Sequence, residues 1–174
     1  MKYATIKNYD IANGLGVRVS LFVSGCTHRC KGCFNEIAWD FEYGTPFNEK
    51  TENDLLQMLK DPYIRGLTLL GGEPLEPVNA KALLPFLRNY NDLLGKSLWI
   101  YTGYTYENLM LRQGEDKRVL DEILSYTEVL VDGPFIEDKK SLMLKFRGSE
   151  NQRLIDVKKT RKENKIVLYE LPLI

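Results

Sequence analysis

Short apolar runs alternate along the chain with longer stretches in which apolar residues recur every three or four positions. The runs predict β-strands at Val17–Val23, Gly66–Leu70, Ser97–Tyr101 and Glu128–Val131, and later at Leu154–Val157 and Ile166–Tyr169, which could form a terminal hairpin. The periodic stretches predict helices from Thr51 to Asp61-Pro62, over Asn79–Leu94 with Pro85 inside, and over Tyr106–Ser125 with a break near Gly114. Such alternation is typical of βαβ units, so we expect an α/β fold with a mainly parallel sheet.

The length of the chain limits what this sheet can form. A complete eight-stranded (β/α)8 barrel usually needs about 250 residues, and this chain has 174. We therefore expect an open, partial (β/α) barrel of about five or six units in a single domain that spans residues 1–174. A Rossmann-like sheet is the structural alternative, but no G-x-G-x-x-G motif follows a predicted strand.

Composition and charge exclude some classes of partner. The chain has 24 Lys and Arg residues and 24 Asp and Glu residues, so it lacks the overall basic field that favours nucleic acid. It also lacks a run of about 18 apolar residues and an apolar signal segment at its N-terminus. We expect no nucleic-acid partner, no membrane association and a cytoplasmic location, where reducing conditions keep thiols available.

The most informative chemistry lies in one loop after the first predicted strand. Cys26, Cys30 and Cys33 are the only cysteines, and their spacing is C-x3-C-x2-C. Three thiolates can hold three irons of a [4Fe–4S] cluster and leave the fourth iron free to bind a small molecule, which is the arrangement that radical S-adenosylmethionine (SAM) chemistry uses. A zinc site remains an alternative, because His28 would complete a Cys3His set, although we expect His28 to be an ordinary loop residue. A disulfide would leave one cysteine over.

Further candidate residues follow the other predicted strands. Gly71 and Gly72 have no Cβ, so their backbone can approach a ligand closely, and Glu73 beside them can accept a hydrogen bond from a ligand ammonium. Asp132 follows the fourth strand and is a second candidate for a carboxylate that faces a ligand. Because the carboxyl ends of parallel strands share one edge of a sheet, these loops should converge with the cysteine loop. Each of them also reads as a simple turn.

Two loops with charged residues have no assigned chemistry. The glycine-rich turn before Val17 could bring its backbone or Arg18 to the site or to a partner. The segment Arg147–Arg153 is dense in hydrogen-bonding groups, and taken by itself we expect it to be a solvated loop.

Five stretches of the chain together resemble a known family. They are NGLGVRVSLFVSGCTHRCKGCFN, LTLLGGEPLEP, WIYTGYTYE, VLVDGPF and RGSENQR, and they run in family order from about Asp10 to Arg153. The family is that of the radical SAM activases of glycyl radical enzymes, and within it the activating proteins of the anaerobic (class III) ribonucleoside-triphosphate reductase. The cysteine motif alone indicates only radical SAM chemistry, whereas the five stretches together are much more specific.

The resemblance implies a site and a reaction. Cys26, Cys30 and Cys33 would ligate the [4Fe–4S] cluster, and SAM would chelate the open iron. Gly32, Cys33, Phe34, Gly71, Gly72 and Glu73 would line the SAM pocket, together with Asp132 from the loop argument above. A reduced flavodoxin-like donor would supply an electron, and SAM would be cleaved to methionine and a 5′-deoxyadenosyl radical. That radical would generate a glycyl radical on the anaerobic ribonucleoside-triphosphate reductase, the protein substrate.

Two other functions remain open at this point. The chain could activate another glycyl radical enzyme, such as pyruvate formate-lyase, although those activases tend to be longer and some carry extra cysteine clusters. It could also be a non-catalytic zinc or iron–sulfur interaction module. A non-catalytic metal module would not need the Gly71-Gly72-Glu73 loop after a later strand.

Overall fold

The computed structural model describes residues 1–173, which build one mixed seven-stranded sheet. The strands are β1 (Lys2–Asp10), β2 (Arg18–Val23), β3 (Thr45–Pro46), β4 (Gly66–Gly71), β5 (Ser97–Tyr101), β6 (Val129–Asp132) and β7 (Arg153–Asp156). Their order is β3-β1-β2-β4-β5-β6-β7. The central strands β2, β4, β5 and β6 are parallel, as predicted, whereas β1, β3 and β7 pair antiparallel with their neighbours. The α/β class is confirmed, but three of the six strand pairs within residues 1–173 are antiparallel, so the sheet is mixed rather than mainly parallel.

Five helices connect and flank the strands. They are α1 (Glu49–Leu59), α2 (Pro77–Leu93), α3 (Tyr106–Met110), α4 (Gly114–Tyr126) and α5 (Val157–Glu163). Local sequence sets their starts: the Asn48 side chain accepts a hydrogen bond from Thr51 N, and Thr105 caps α3 in the same way through Asn108 N. Pro77 occupies the first turn of α2, where a missing N–H costs nothing. The predicted break at Gly114 is confirmed. None of the helices within residues 1–173 has both the length and the apolarity that crossing a membrane requires.

The two ends of the chain differ from the sequence prediction. The antiparallel strand β1 was not predicted, because eight of its nine residues are only partly buried or exposed, in no regular alternation. The polar stretch after Asp156 forms α5 rather than a turn, since Asp156 caps it and only Val157 and Thr160 face the core. The predicted strand at Ile166–Tyr169 is wrong: a single bridge joins Leu168 to Ile155.

The sheet is covered on both faces. Helices pack on one face over a large cluster that includes Leu21, Leu69 and Ile100, while Trp99, Val129 and Leu154 form a smaller cluster on the other. Arg18 is fully buried and donates hydrogen bonds to Thr68 Oγ1 at 2.7 Å and to the carbonyl oxygens of Leu67 and Ser97 at 2.8 and 3.0 Å. Arg18 therefore joins the three strands β2, β4 and β5. The prediction that Arg18 could approach a site or a partner is wrong.

Candidate functional site

A cavity of about 430 Å³ lies where the loops after β2, β4, β5 and β6 meet. Seven of the predicted site residues line it, from two separate loops: Cys26, Cys30, Cys33, Phe34, Gly71, Gly72 and Glu73. Gly103 from the loop after β5, Gly133 from the loop after β6 and Gln152 from the segment before β7 complete parts of the wall. The predicted convergence of these loops is thus observed in the fold.

Backbone contacts and one buried amide hold the base of the cysteine loop. Gly25 N donates to Ala38 O at 2.8 Å, and the φ of Gly25 is +97°, with the Phe41 ring occupying the space where a Cβ would lie. From α2, the Asn79 amide donates to Ser24 O and Glu73 O, both at 3.0 Å, and to Gly25 O at 3.4 Å. Asn79 therefore joins the start of the cysteine loop to the loop after β4.

The three cysteines are free thiols in the cavity wall. Burial raises the pKa of Cys26 to about 11, and it also raises the pKa of Cys30. The Cys33 sulfur accepts a hydrogen bond from Asn35 N at 3.4 Å. A metal or cluster that binds these sulfurs must therefore displace protons from at least two of them near neutral pH.

Glu73 is fully buried, and groups of the protein already bind its carboxylate. Oε1 accepts from Leu75 N at 2.9 Å, while Oε2 accepts from Gly103 N at 2.7 Å and lies 2.8 Å from Nε2 of His28. Burial by itself would lower the pKa of His28, but the hydrogen bond and negative charge of Glu73, with Glu76 nearby, raise it above the ordinary value. His28 therefore lies in the loop, as expected, but its side chain is mostly buried against Glu73 rather than solvated at the surface.

The glycines after β4 serve the protein frame as well as the cavity. Gly71 has a φ of +105°, and Gly72 N donates to Val23 O at 2.8 Å. A Cβ on Gly72 would lie 2.7 Å from Gly25 O and 2.9 Å from Ala38 O. The absence of a side chain at Gly72 thus lets the cysteine loop pack against the end of β4.

Two predicted site residues lie outside the cavity wall, Gly32 and Asp132. Gly32 is an exposed turn residue with a φ of +71°. Asp132 is buried, and it accepts hydrogen bonds from Tyr106 N at 2.8 Å and from Nε and Nη2 of Arg153 at 3.0 and 2.5 Å. Its carboxylate therefore joins β6 to β7 and to the start of α3, and the structure gives it no position that faces a ligand.

The segment Arg147–Arg153 is a folded part of the wall and not simply a solvated loop. Gln152 Oε1 accepts hydrogen bonds from Gly148 N and Ser149 N at 2.8 and 3.1 Å, and its Nε2 donates to Gly133 O at 3.0 Å. Asn151 Nδ2 donates to Pro134 O at 2.8 Å. These amides attach the segment to the turn after β6.

Sequence reasoning weighed His28 only as a zinc ligand, and it assigned no individual role in this site to Gly103, Asn79 or Gln152. A signal existed for His28, which is the only histidine and stands between two of the cysteines. Asn79 carried no such signal, because ordinary helix starts also contain asparagine, whereas Gln152 lies in RGSENQR, one of the five stretches that carry the resemblance.

Comparisons with known proteins agree with this architecture. A family model described as a 4Fe-4S single cluster domain matches residues 12–155. A protein of Pasteurella multocida (strain Pm70) is 46% identical over 155 residues, which cover 87% of this chain and 95% of that protein. A protein of Haemophilus influenzae is 41% identical, with 87% and 96% covered, and one of Enterobacteria phage T4 is 37% identical, with 88% and 93% covered. All three are named anaerobic ribonucleoside-triphosphate reductase-activating protein. The chain belongs to the family of these activating proteins.

Proposed function

We propose that this chain is a radical SAM activase, which binds a [4Fe–4S] cluster through Cys26, Cys30 and Cys33 and SAM in the adjoining cavity. Its protein substrate would be the anaerobic ribonucleoside-triphosphate reductase, on which it generates a glycyl radical. One observation carries the proposal: the three thiols line a single cavity with Gly71, Gly72 and Glu73. The names of the relatives support the choice of reductase.

The arrangement of the thiols favours a cluster over a single zinc ion. Four ligands at about 2.3 Å from one zinc would bring their sulfur atoms to roughly 4 Å from one another. Within residues 1–173, no three His, Cys, Asp or Glu side chains are grouped closely enough to hold one metal ion. A cluster takes one thiolate on each of three irons, so its three cysteines need not share one metal ion, and the matching family model is that of a 4Fe-4S single cluster domain.

The cavity also suits a small-molecule cofactor. Pockets of roughly 300–1,000 Å³ hold small ligands, and this cavity measures about 430 Å³. We propose that SAM lies against Gly71, Gly72, Phe34 and Glu73. When bound, the cluster and SAM would supply reductive cleavage to methionine and a 5′-deoxyadenosyl radical that takes a hydrogen atom from a glycine of the reductase. The chain itself would orient SAM through the glycine backbone, and Phe34 and Phe135, whose ring centroids are 4.9 Å apart, would offer it an apolar surface in the cavity wall.

Further parts of the proposal concern the whole chain. We propose that residues 1–174 form one domain in which the sheet is an open partial barrel of the radical SAM type, of about five or six units. Its strand order runs from one edge strand, β3, to another, β7, which supports an open form. An open side would admit a segment of a large protein substrate. We also propose a reduced flavodoxin-like protein as electron donor and a cytoplasmic location.

The first test is anaerobic reconstitution with iron and sulfide, followed by electron paramagnetic resonance and an assay for 5′-deoxyadenosine. We expect a [4Fe–4S]⁺ signal that SAM perturbs, formation of 5′-deoxyadenosine, and a glycyl radical on the reductase. Cys30→Ala should abolish all three while leaving the fold intact, and Ser125→Ala at the exposed end of α4 is the matched control that should keep them. Normal SAM cleavage by Cys30→Ala, or tight zinc binding without a cluster, would overturn the proposal.

The alternative activase reading can be tested with the same preparation. The three relatives described above, which each align with most of the chain, are named for the reductase and not for pyruvate formate-lyase. Incubation with each candidate partner should therefore give a glycyl radical only on the reductase.

A further inference from the structure

His28 lies between two of the cysteines and contacts two other loops at once. Its Nε2 is 2.8 Å from Oε2 of Glu73, and the exposed fractions of the two side chains are 17% and 1%. The same Glu73 oxygen accepts the hydrogen bond from Gly103 N. One buried carboxylate oxygen thus joins the cysteine loop, the loop after β4 and the loop after β5.

Packing fixes the imidazole ring as well as its hydrogen bond. The ring meets Tyr104 edge to face, with centroids 4.4 Å apart, and Arg112 lies over Tyr104 at 4.9 Å. A Cβ on Gly103 would lie 2.5 Å from Cδ2 of His28, so the ring occupies space that only glycine leaves free. The ring is therefore held from two sides in one orientation.

The residue before His28 makes a parallel connection. Thr27 donates to Oε1 of Glu76 from its backbone N at 2.8 Å and from its hydroxyl at 2.5 Å. Thr27 and His28 together attach the middle of the cysteine loop to the segment from Glu73 to Glu76, which leads into α2. Cys26 and Cys30 flank these two residues, so a displacement of His28 displaces the backbone that carries both thiols.

We propose that His28 is a positioning residue, which locks the cysteine loop to Glu73 and Gly103 and so sets the orientation of the cluster relative to SAM. This inference rests on the proposed function. A group that holds reactants in register has a large effect on rate, because a misplacement of about 1 Å can lower a rate 100-fold. Loss of the His28 contacts should therefore impair SAM binding and cleavage more than it lowers the iron and sulfide content of the protein.

Two substitutions at His28 separate the hydrogen bond from the packing. His28→Phe keeps a ring against Tyr104 and Gly103 but removes the donor, whereas His28→Gln keeps an N–H donor without the ring. At equal iron and sulfide content, we expect His28→Phe to lower kcat/KM for SAM cleavage about 10- to 100-fold and to weaken the change that SAM causes in the electron paramagnetic resonance signal. His28→Gln should recover part of both.

A double-mutant cycle with Gly103→Ala tests the same contact from the opposite loop. The added methyl group collides with the His28 ring, so Gly103→Ala alone should reproduce the His28→Phe phenotype. In a His28→Ala background the collision disappears, and Gly103→Ala should then have little further effect. Such non-additivity would not follow from two unrelated losses of stability.

The outcomes distinguish the inference from the function on which it rests. Wild-type protein that forms a cluster but leaves SAM intact would overturn the proposed function and this inference together. Active wild-type protein with His28→Phe unchanged in both kcat/KM and resonance signal would overturn the inference alone. So would variants that lose cluster but have normal activity per cluster, or additive effects in the cycle with Gly103→Ala, since either result would mean that His28 only stabilises the fold.

Discussion

Gly72→Ala should separate the cysteine loop from the end of β4. The new Cβ would lie 2.7 Å from Gly25 O and 2.9 Å from Ala38 O, which are both main-chain atoms. A carbon and an oxygen need about 3.3 Å or more, so one side must move by roughly 0.6 Å. A flexible side chain could rotate away from the methyl group, but these carbonyls belong to the segment that positions the cysteines.

The expected loss follows from the cost of overpacking. Inserting a methyl group into a well-packed site costs about 1–3 kcal/mol. For a chain of this size, each kcal/mol lowers the midpoint of thermal unfolding by about 2–4 °C, so Gly72→Ala should lower it by about 2–12 °C. The strain falls on Gly25, next to Cys26, so we also expect slower SAM cleavage per cluster.

Gly114→Ala is the matched control. Gly114 has a φ of +59°, and a Cβ there would meet nothing within 4 Å. Because its backbone is left-handed, alanine at this position should lower the free energy of unfolding by about 1–2 kcal/mol. The added methyl group would not disturb the cysteine loop. Both variants are compared by anaerobic thermal unfolding at equal iron content and by 5′-deoxyadenosine formation. The reasoning fails if Gly72→Ala matches wild type in both assays, or if Gly114→Ala slows cleavage as much.

Three further substitutions test the frame around the cavity. Arg153→Met should leave the buried Asp132 carboxylate without its charged partner and lower the free energy of unfolding by about 3 kcal/mol, as measured by thermal unfolding. Adding Asp132→Asn should restore part of this loss. Equal stability of the single and double variants would contradict this prediction. Gln152→Ala removes three hydrogen bonds to backbone groups, each of which contributes about 1 kcal/mol to stability. Because these bonds hold the segment Arg147–Arg153 in place, trypsin should cleave faster after Arg147. An unchanged digestion rate would refute this prediction. Asn79→Asp, which loses its N–H donors and faces three carbonyls, should lower iron content more than Asn79→Ala does.

The parts of the fold that could be predicted are those in which burial produces a regular pattern of apolar residues in the sequence. The strands β2, β4, β5 and β6 are buried on both faces and therefore read as apolar runs. The edge element β1 is partly exposed and mixed in polarity, so it leaves neither an apolar run nor a strict alternation. The helix α5 has only seven residues, of which two face the core, too few to establish a period.

The site divides in the same way. The sequence placed the cysteines and the Gly71-Gly72-Glu73 loop at one edge, because that follows from where parallel strands end. It could not assign partners to the carboxylates, because those partners come from distant parts of the chain. Glu73 meets His28, 45 positions earlier, and Asp132 meets Arg153, 21 positions later. Two carboxylates that look equivalent in the sequence therefore have different roles, one in the cavity wall and one between strands.

The carboxylates at this edge act as connectors between loops. Glu73 joins three loops, Glu76 accepts from Thr27, and Asp132 joins β6 to β7 through Arg153. Buried charge of this kind is costly unless it is paired, so each loop is stable in its place only while its neighbours stay in theirs. Thiols and glycine backbone then face the cavity on a frame that these contacts hold together. Mutations in this frame should therefore combine non-additively, even when neither residue would touch SAM.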